Sequence, residues 1–258
     1  MPRLPKLLLQ ILGILLILII WELATDVFGL FSRFILPSPI YVLSAMWTML
    51  LDGSLVMNSG WSLFRVILGF AVAAAVAVPL GIAMGWVPEI AFIVDPIVEL
   101  IRPIPPIAWI GLALLWFGIG LNSAIFLVFI GAFFPILLNT VAGVRSVDKK
   151  LIEVAYTFGA NDMNVLRKVV LPAASPTIYT GLRVGWGIGW MCVVAAEMIA
   201  VKYGLGNMIL EASNLAQTDA VIVGMITIGV IGLATNYIFQ LAGNHLFAWQ
   251  QGISRAVA

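Results

Sequence analysis

One cysteine and one histidine are all that 258 residues carry of thiol and imidazole metal ligands. A lone Cys192 leaves no disulfide framework and no cysteine metal site, and a lone His245 excludes a two-histidine zinc motif or a haem held by paired histidines. Charge is scarce too. Only 10% of the residues are charged and the formal net charge is +1, so the chain lacks the basic face that nucleic acid demands. There is no GxxxxGKS or GxxxxGKT phosphate loop, so the chain offers no P-loop ATPase site of its own. No metal-ligand cluster and no Ser/His/Asp constellation offers an enzyme mechanism.

What is abundant is apolar. Hydrophobic residues make up 62% of the chain and its mean hydropathy is +1.12. A soluble domain of this length cannot cover itself with so little polar surface, so the bilayer is part of the solvent. Crossing the hydrocarbon takes roughly 20 apolar residues. The runs Leu7–Phe28, Leu63–Trp86, Pro105–Ile119, Ser123–Val144, Ile178–Val201 and Ala220–Leu241 give an expectation of about six transmembrane helices and an all-α membrane protein. Arg3 and Lys6 before the first run look like a signal peptide, but the run leads into Trp21, Glu22 and Leu23 without a small-x-small cleavage site. It reads as an uncleaved first span. Tyr41–Leu51 is amphipathic and is expected at the membrane interface.

Six spans put both termini on one side. With that side inside, the inner segments hold Arg3, Lys6, Arg102, Arg145, Lys149, Lys150, Arg167, Lys168, Arg183 and Arg255; the outer ones hold Arg33, Arg65 and Lys202. The asymmetry follows the positive-inside rule and predicts cytoplasmic termini.

The same rule puts the polar segment Glu153–Pro172 in the cytoplasm. It is patterned as two short helices. Asp148 can cap the first, running to about Phe158, and Gly159 fits the left-handed position past its end. Asn161 or Asp162 can cap the second, which is expected to reach Val169 and stop at Pro172. The bland alternative is a solvated loop punctuated by glycine and proline.

Glu153, Ala155, Gly159, Leu171 and Pro172 stand at the spacing of the cytoplasmic signature of the permease subunits of binding-protein-dependent ABC importers, Glu-Ala-Ala, three residues, Gly, nine residues, Ile, one residue, Leu-Pro. The chain resembles that family, with Val154 for the middle alanine and Val169 for the isoleucine. LPSP at Leu36–Pro39, the stretches Gly69–Gly85, Arg102–Gly120 and Gly131–Asp148, and Ala195–Ile209 resemble its nitrate/sulfonate/taurine/bicarbonate branch. The resemblance implies a type I ABC importer permease fold occupying 1–258 as one transmembrane domain, with a core bundle over 63–245 and a cytoplasmic coupling loop over 145–172. It implies a small, anionic solute, a homodimer in the lipid of a prokaryotic inner membrane, and an external solute-binding protein. It implies a cytoplasmic ABC ATPase dimer that binds ATP and magnesium, so that this chain needs no cofactor and catalyses nothing. Glu153 would offer its carboxylate to the ATPase or to the second helix, and Ala155 would permit close approach.

Ionisable groups and backbone breaks at membrane depth are candidates for the translocation path. Glu197 lies late in the fifth run; its structural alternative is a carboxylate paired with an arginine or a backbone amide. Arg102 precedes Pro103, Pro105 and Pro106, and either attracts an anion or pairs with Asp95 or Glu99. Asn139 either lines the path or acts as interhelical glue. Gly181, Gly185 and Gly189 recur on one helix face, suited to a dimer interface or to a crossing within one subunit. Trp86, Trp109, Trp116, Trp186 and Trp190 read as interface and packing markers. The competing class is an ion-coupled secondary transporter, which favours inverted repeats and midplane carboxylates; no repeat is evident and Glu197 is the sole acidic candidate.

Overall fold

The computed structural model describes residues 3–247, and every element in it is helical. In chain order these are α1 (Arg3–Glu22), α2 (Pro39–Leu51), α3 (Ser54–Trp86), α4 (Pro88–Ile101), α5 (Ile110–Phe117), α6 (Leu121–Arg145), α7 (Lys149–Thr157), α8 (Asp162–Val165), α9 (Leu171–Ala200), α10 (Leu205–Asn214) and α11 (Thr218–Leu246). Arg255 lies outside the described residues.

Among the described residues four helices are long and apolar enough to cross a membrane: α3, α6, the continuous run Asp162–Ala200, and α11. A fifth span arises if α4 and the Pro106–Phe117 segment are counted as one, and these two meet at an angle of 87°. The run expected over Pro105–Ile119 is therefore long enough to cross only together with α4, through the break that the prolines predict. Pro103, Pro105 and Pro106 remove backbone donors, and α5 has only 8 residues, too few to cross alone. The 13-residue α2, which carries the Tyr41–Leu51 stretch, is likewise too short.

A correction concerns Pro172, which does not stop the helix. Leu166–Val170 winds as a π-helical turn, and α9 follows with Pro172 in its first turn. Wider winding just upstream lets the chain absorb the missing N–H and the ring. The result is one run of 39 residues from Asp162 to Ala200, about 58 Å long at 1.5 Å per residue. That exceeds the roughly 30 Å hydrocarbon core, so its Asp162 end projects beyond the membrane.

The chain divides into two compact units. One comprises the residues up to Trp61 with Tyr203–Gly229; the other comprises Ser62–Lys202 and the chain from Val230. Within the first, Asn58 Oδ1 accepts the Gly204 N–H at 2.8 Å, the Thr218 hydroxyl donates to the Phe34 carbonyl at 2.6 Å, and Trp21 Nε1 donates to the Pro37 carbonyl at 3.1 Å.

The second unit is built around α6, whose apolar window is 56% buried. A Cβ at Gly181 or Gly185 would stand 2.6 Å from Asn139 Cβ or 2.8 Å from Ile136 Cγ1, and Gly189 closes on Val128. The glycine face of α9 is therefore spent on a crossing inside the subunit, settling the alternative left open by the sequence. α3 packs on α6 in the same manner, with Gly69, Gly81 and Gly85 against Val128, Thr140 and Val144. In a bilayer such small-residue seams replace the hydrophobic drive between helices with close van der Waals packing. Ala73, Ala77, Ala132, Ile136 and Leu137 fill the core between α3 and α6.

Candidate functional site

The hairpin 148–172 is built by its own caps. Asp148 Oδ1 accepts the Lys150 N–H at 2.9 Å and starts α7; Asn161 Oδ1 accepts the Asn164 N–H at 2.9 Å and starts α8. Between them the chain reverses at Gly159, with φ +79°. Gly159 N–H donates to the Tyr156 carbonyl at 2.9 Å and Ala160 N–H to the Ala155 carbonyl at 3.1 Å, the paired bonds of a Schellman cap. A Cβ at Gly159 would touch nothing within 4 Å, so glycine is required by the left-handed backbone and not by crowding. The Tyr156 hydroxyl donates to Asp162 Oδ1 at 2.8 Å and ties the two helices across the turn. That bond, first among the causes, holds the Tyr156 phenol above its ordinary pKa.

The two faces of α7 differ. Ile152 and Ala155 turn inward against Val144, Val147, Val165, Val170 and Ala174, a small core that binds the hairpin to the ends of α6 and α9. Ala155 thus lets the second helix approach. Beside that inward face Leu151, Val154 and Phe158 are exposed, the last with 86% of its surface open. Glu153 is exposed on the far side of α7, Leu171 is half-buried and Pro172 exposed. An apolar row on a water-facing helix is costly unless a partner covers it.

The path candidates do not converge on one point. Arg102 caps the end of α4 and Pro105 follows at the bend, both exposed. Asp95 is engaged by Arg145 at 3.4 Å, not by Arg102. Asn139 Nδ2 donates to the Pro135 carbonyl of its own helix at 2.8 Å, while its Cβ packs on Gly181. Glu197 has no exposed surface. Its carboxylate accepts from Arg65 Nη1 at 2.6 Å and from the Ser62 hydroxyl at 2.8 Å. Sequence reasoning placed Arg65 only among the outer charges; its position within an apolar run, level with Glu197, was the signal for the pair.

Residues 77–249 match the family of binding-protein-dependent transport system inner membrane components. The chain belongs to this family. The permease is 52% identical over 200 residues to a putative ABC transporter permease protein of Methanocaldococcus jannaschii, covering 77% of this chain and 75% of that one. It is 39% identical over 234 residues to the taurine transport system permease protein of Escherichia coli, covering 89% and 84% of the two chains. Among solved structures, the methionine ABC transporter MetNI in an inward-facing conformation superposes with a TM-score of 0.65 at 21% identity, over 81% of this permease and 98% of that chain. At that identity the likeness is one of fold, the type I importer permease fold, and the subunit's role is that of an ABC permease in transport.

Proposed function

We propose that the permease carries a small anionic solute, a sulfonate or an oxyanion such as nitrate, into a prokaryotic cell across its inner membrane. It works as a homodimer fed by an external binding protein, with both termini in the cytoplasm, and takes power from a pair of separate ATPases that bind ATP and magnesium. The observation that carries the reading is the exposed row Leu151, Val154 and Phe158 along α7 and its C-cap, on the hairpin that bears Glu153, Ala155 and Gly159. That row fits a groove on an ATPase. The continuous run Asp162–Ala200 then acts as a lever, because no loop separates the hairpin from the membrane helix. ATP-driven closure of two ATPases draws two hairpins together and switches the subunits between inward-facing and outward-facing states as rigid bodies.

Similarity to the taurine permease of Escherichia coli, the aliphatic sulfonate permeases and the nitrate permease of Synechocystis supports an anionic cargo. Arg102 and Pro105 suit the path, since broken backbone at membrane depth belongs where it is buried in protein or faces water. Glu197, closed by Arg65 and Ser62, suits a structural pin, and Asn139 suits the α6–α9 seam.

Uptake into proteoliposomes containing the permease, its ATPase and its binding protein tests the reading. Uptake of taurine or nitrate that needs both ATP and the binding protein supports it; uptake driven by an ion gradient alone supports a secondary transporter instead.

A further inference from the structure

Between α9 and the second half of α11 lies a cavity of about 130 Å³. It is far smaller than the ~300–1,000 Å³ typical of sites for drug-sized ligands, and so admits an ion of a few heavy atoms. Arg183, Trp186, Trp190, Thr235, Asn236 and Phe239 are among its walls, and none of its lining residues is acidic. Arg183, Trp186 and Asn236 bring side-chain donors to its walls. Arg183 Nε donates to Asn236 Oδ1 at 2.8 Å, which orients the guanidinium and engages one of its five donors. With its oxygen so engaged, the Asn236 amide keeps its NH₂ group as a donor. Trp186 Nε1 is buried and has no acceptor among the described residues. The Thr235 hydroxyl is occupied by the carbonyls of Ile231 and Gly232, at 2.9 and 3.0 Å.

A buried indole N–H without an acceptor is uncommon and costly, and calls for an explanation. Beside it stands Arg183, an exposed cation whose guanidinium is tied to Asn236 at the cavity wall. One ligand answers both: an oxyanion, which accepts from the flat fork of a guanidinium and from an indole N–H together. Trp190 and Phe239 would wall its apolar remainder.

We propose that this cavity is a binding subsite for the transported oxyanion, held by Arg183, Trp186 and Asn236. The inference rests on the anionic reading of the function and deepens it. Arg183 supplies the charge and two-pronged recognition, and Trp186 the neutral donor that a simple charge well lacks. The geometry therefore discriminates sulfonates and nitrate from halides, which have no set of separated oxygens.

The test is ATP-dependent uptake of taurine, ethanesulfonate and nitrate by the complete transporter in proteoliposomes. Arg183→Gln should lower uptake about tenfold or more, the size of a lost charge-assisted bond. Arg183→Lys should lose less, and Trp186→Phe about threefold. Arg183→Gln uptake at the wild-type rate overturns the subsite and leaves the anionic reading standing. Failure of both Arg183 variants to co-purify with the ATPase assigns the arginine to structure and also overturns it. A wild-type complex that imports none of the three anions, but does import neutral or cationic solutes, overturns the anionic reading and the subsite together. A lipid phosphate would satisfy the same donors; an Arg183→Gln defect that disappears in vesicles without anionic lipid assigns the site to headgroups and overturns the proposal.

Discussion

Arg65 and Glu197, 132 residues apart in sequence, meet at 2.6 Å with almost no solvent exposure of either side chain. Ser62, one turn before Arg65, donates to the second carboxylate oxygen at 2.8 Å. The pair fixes α3 to the far end of α9. Removing one partner of a buried ion pair leaves the other charge uncompensated, at about 3–5 kcal/mol. Glu197→Ala should therefore lower the thermal midpoint of the purified permease sharply. Arg65→Met combined with Glu197→Leu should recover much of the loss. A Glu197→Ala protein as stable as wild type would remove the pin.

The α6–α9 seam makes a second prediction. Gly185→Val sets carbon against Ile136 Cγ1 at 2.8 Å and the Ala132 carbonyl at 3.0 Å. Overpacking of this kind costs about 1–3 kcal/mol, read as a lower thermal midpoint and broadened size-exclusion elution. Gly229→Ala, where an added Cβ meets nothing within 4 Å, is the control and should elute like wild type.

Gly159→Val should act differently. Its side chain meets no neighbour, but φ +79° imposes a left-handed backbone, costing about 1–2 kcal/mol for a residue with Cβ. The strain falls on the hairpin, so the membrane helices should remain folded while ATPase co-purification weakens. Undiminished co-purification would show that the turn is not needed for docking.

The Tyr156–Asp162 bond predicts a pH dependence. Because the phenol pKa is raised in the folded hairpin, the bond's contribution is fully present below the ordinary tyrosine value near 10 and is lost as pH rises through the elevated one. ATPase association should therefore loosen in strongly alkaline buffer. Tyr156→Phe should abolish that dependence, with association measured by co-sedimentation across the pH range.

Much of this was legible in the sequence. The hairpin's limits were readable because Asp148, Gly159 and Asn161 act through local backbone chemistry, and their caps form where the spacing places them. Pro172 misled, since a proline reads as a stop and only a π turn upstream lets the helix carry on. Hydropathy does not register the 87° bend before the third run, but Pro103, Pro105 and Pro106 do, and the break falls where they stand. The glycine face of α9 was visible, but which helix fills it depends on tertiary packing. Arg183 was counted only for its sign; Trp186 stands three residues on along the same helix, but the meeting with Asn236 joins α9 to α11, and no local pattern reports that.

Phe158 is where the account is tested most directly, since it stands 86% open at the end of the apolar row on α7. With a benzophenone side chain in its place, irradiation of the complete transporter in its native membrane should yield one adduct, with the ATPase, and ATP should change its yield. Phe158→Ala should leave the permease folded and lower binding-protein-stimulated ATP hydrolysis about tenfold, roughly what a buried aromatic anchor contributes. A crosslink confined to lipid or to the permease itself, with stimulated hydrolysis intact in Phe158→Ala, would contradict the claim that this hairpin couples the permease to its ATPase.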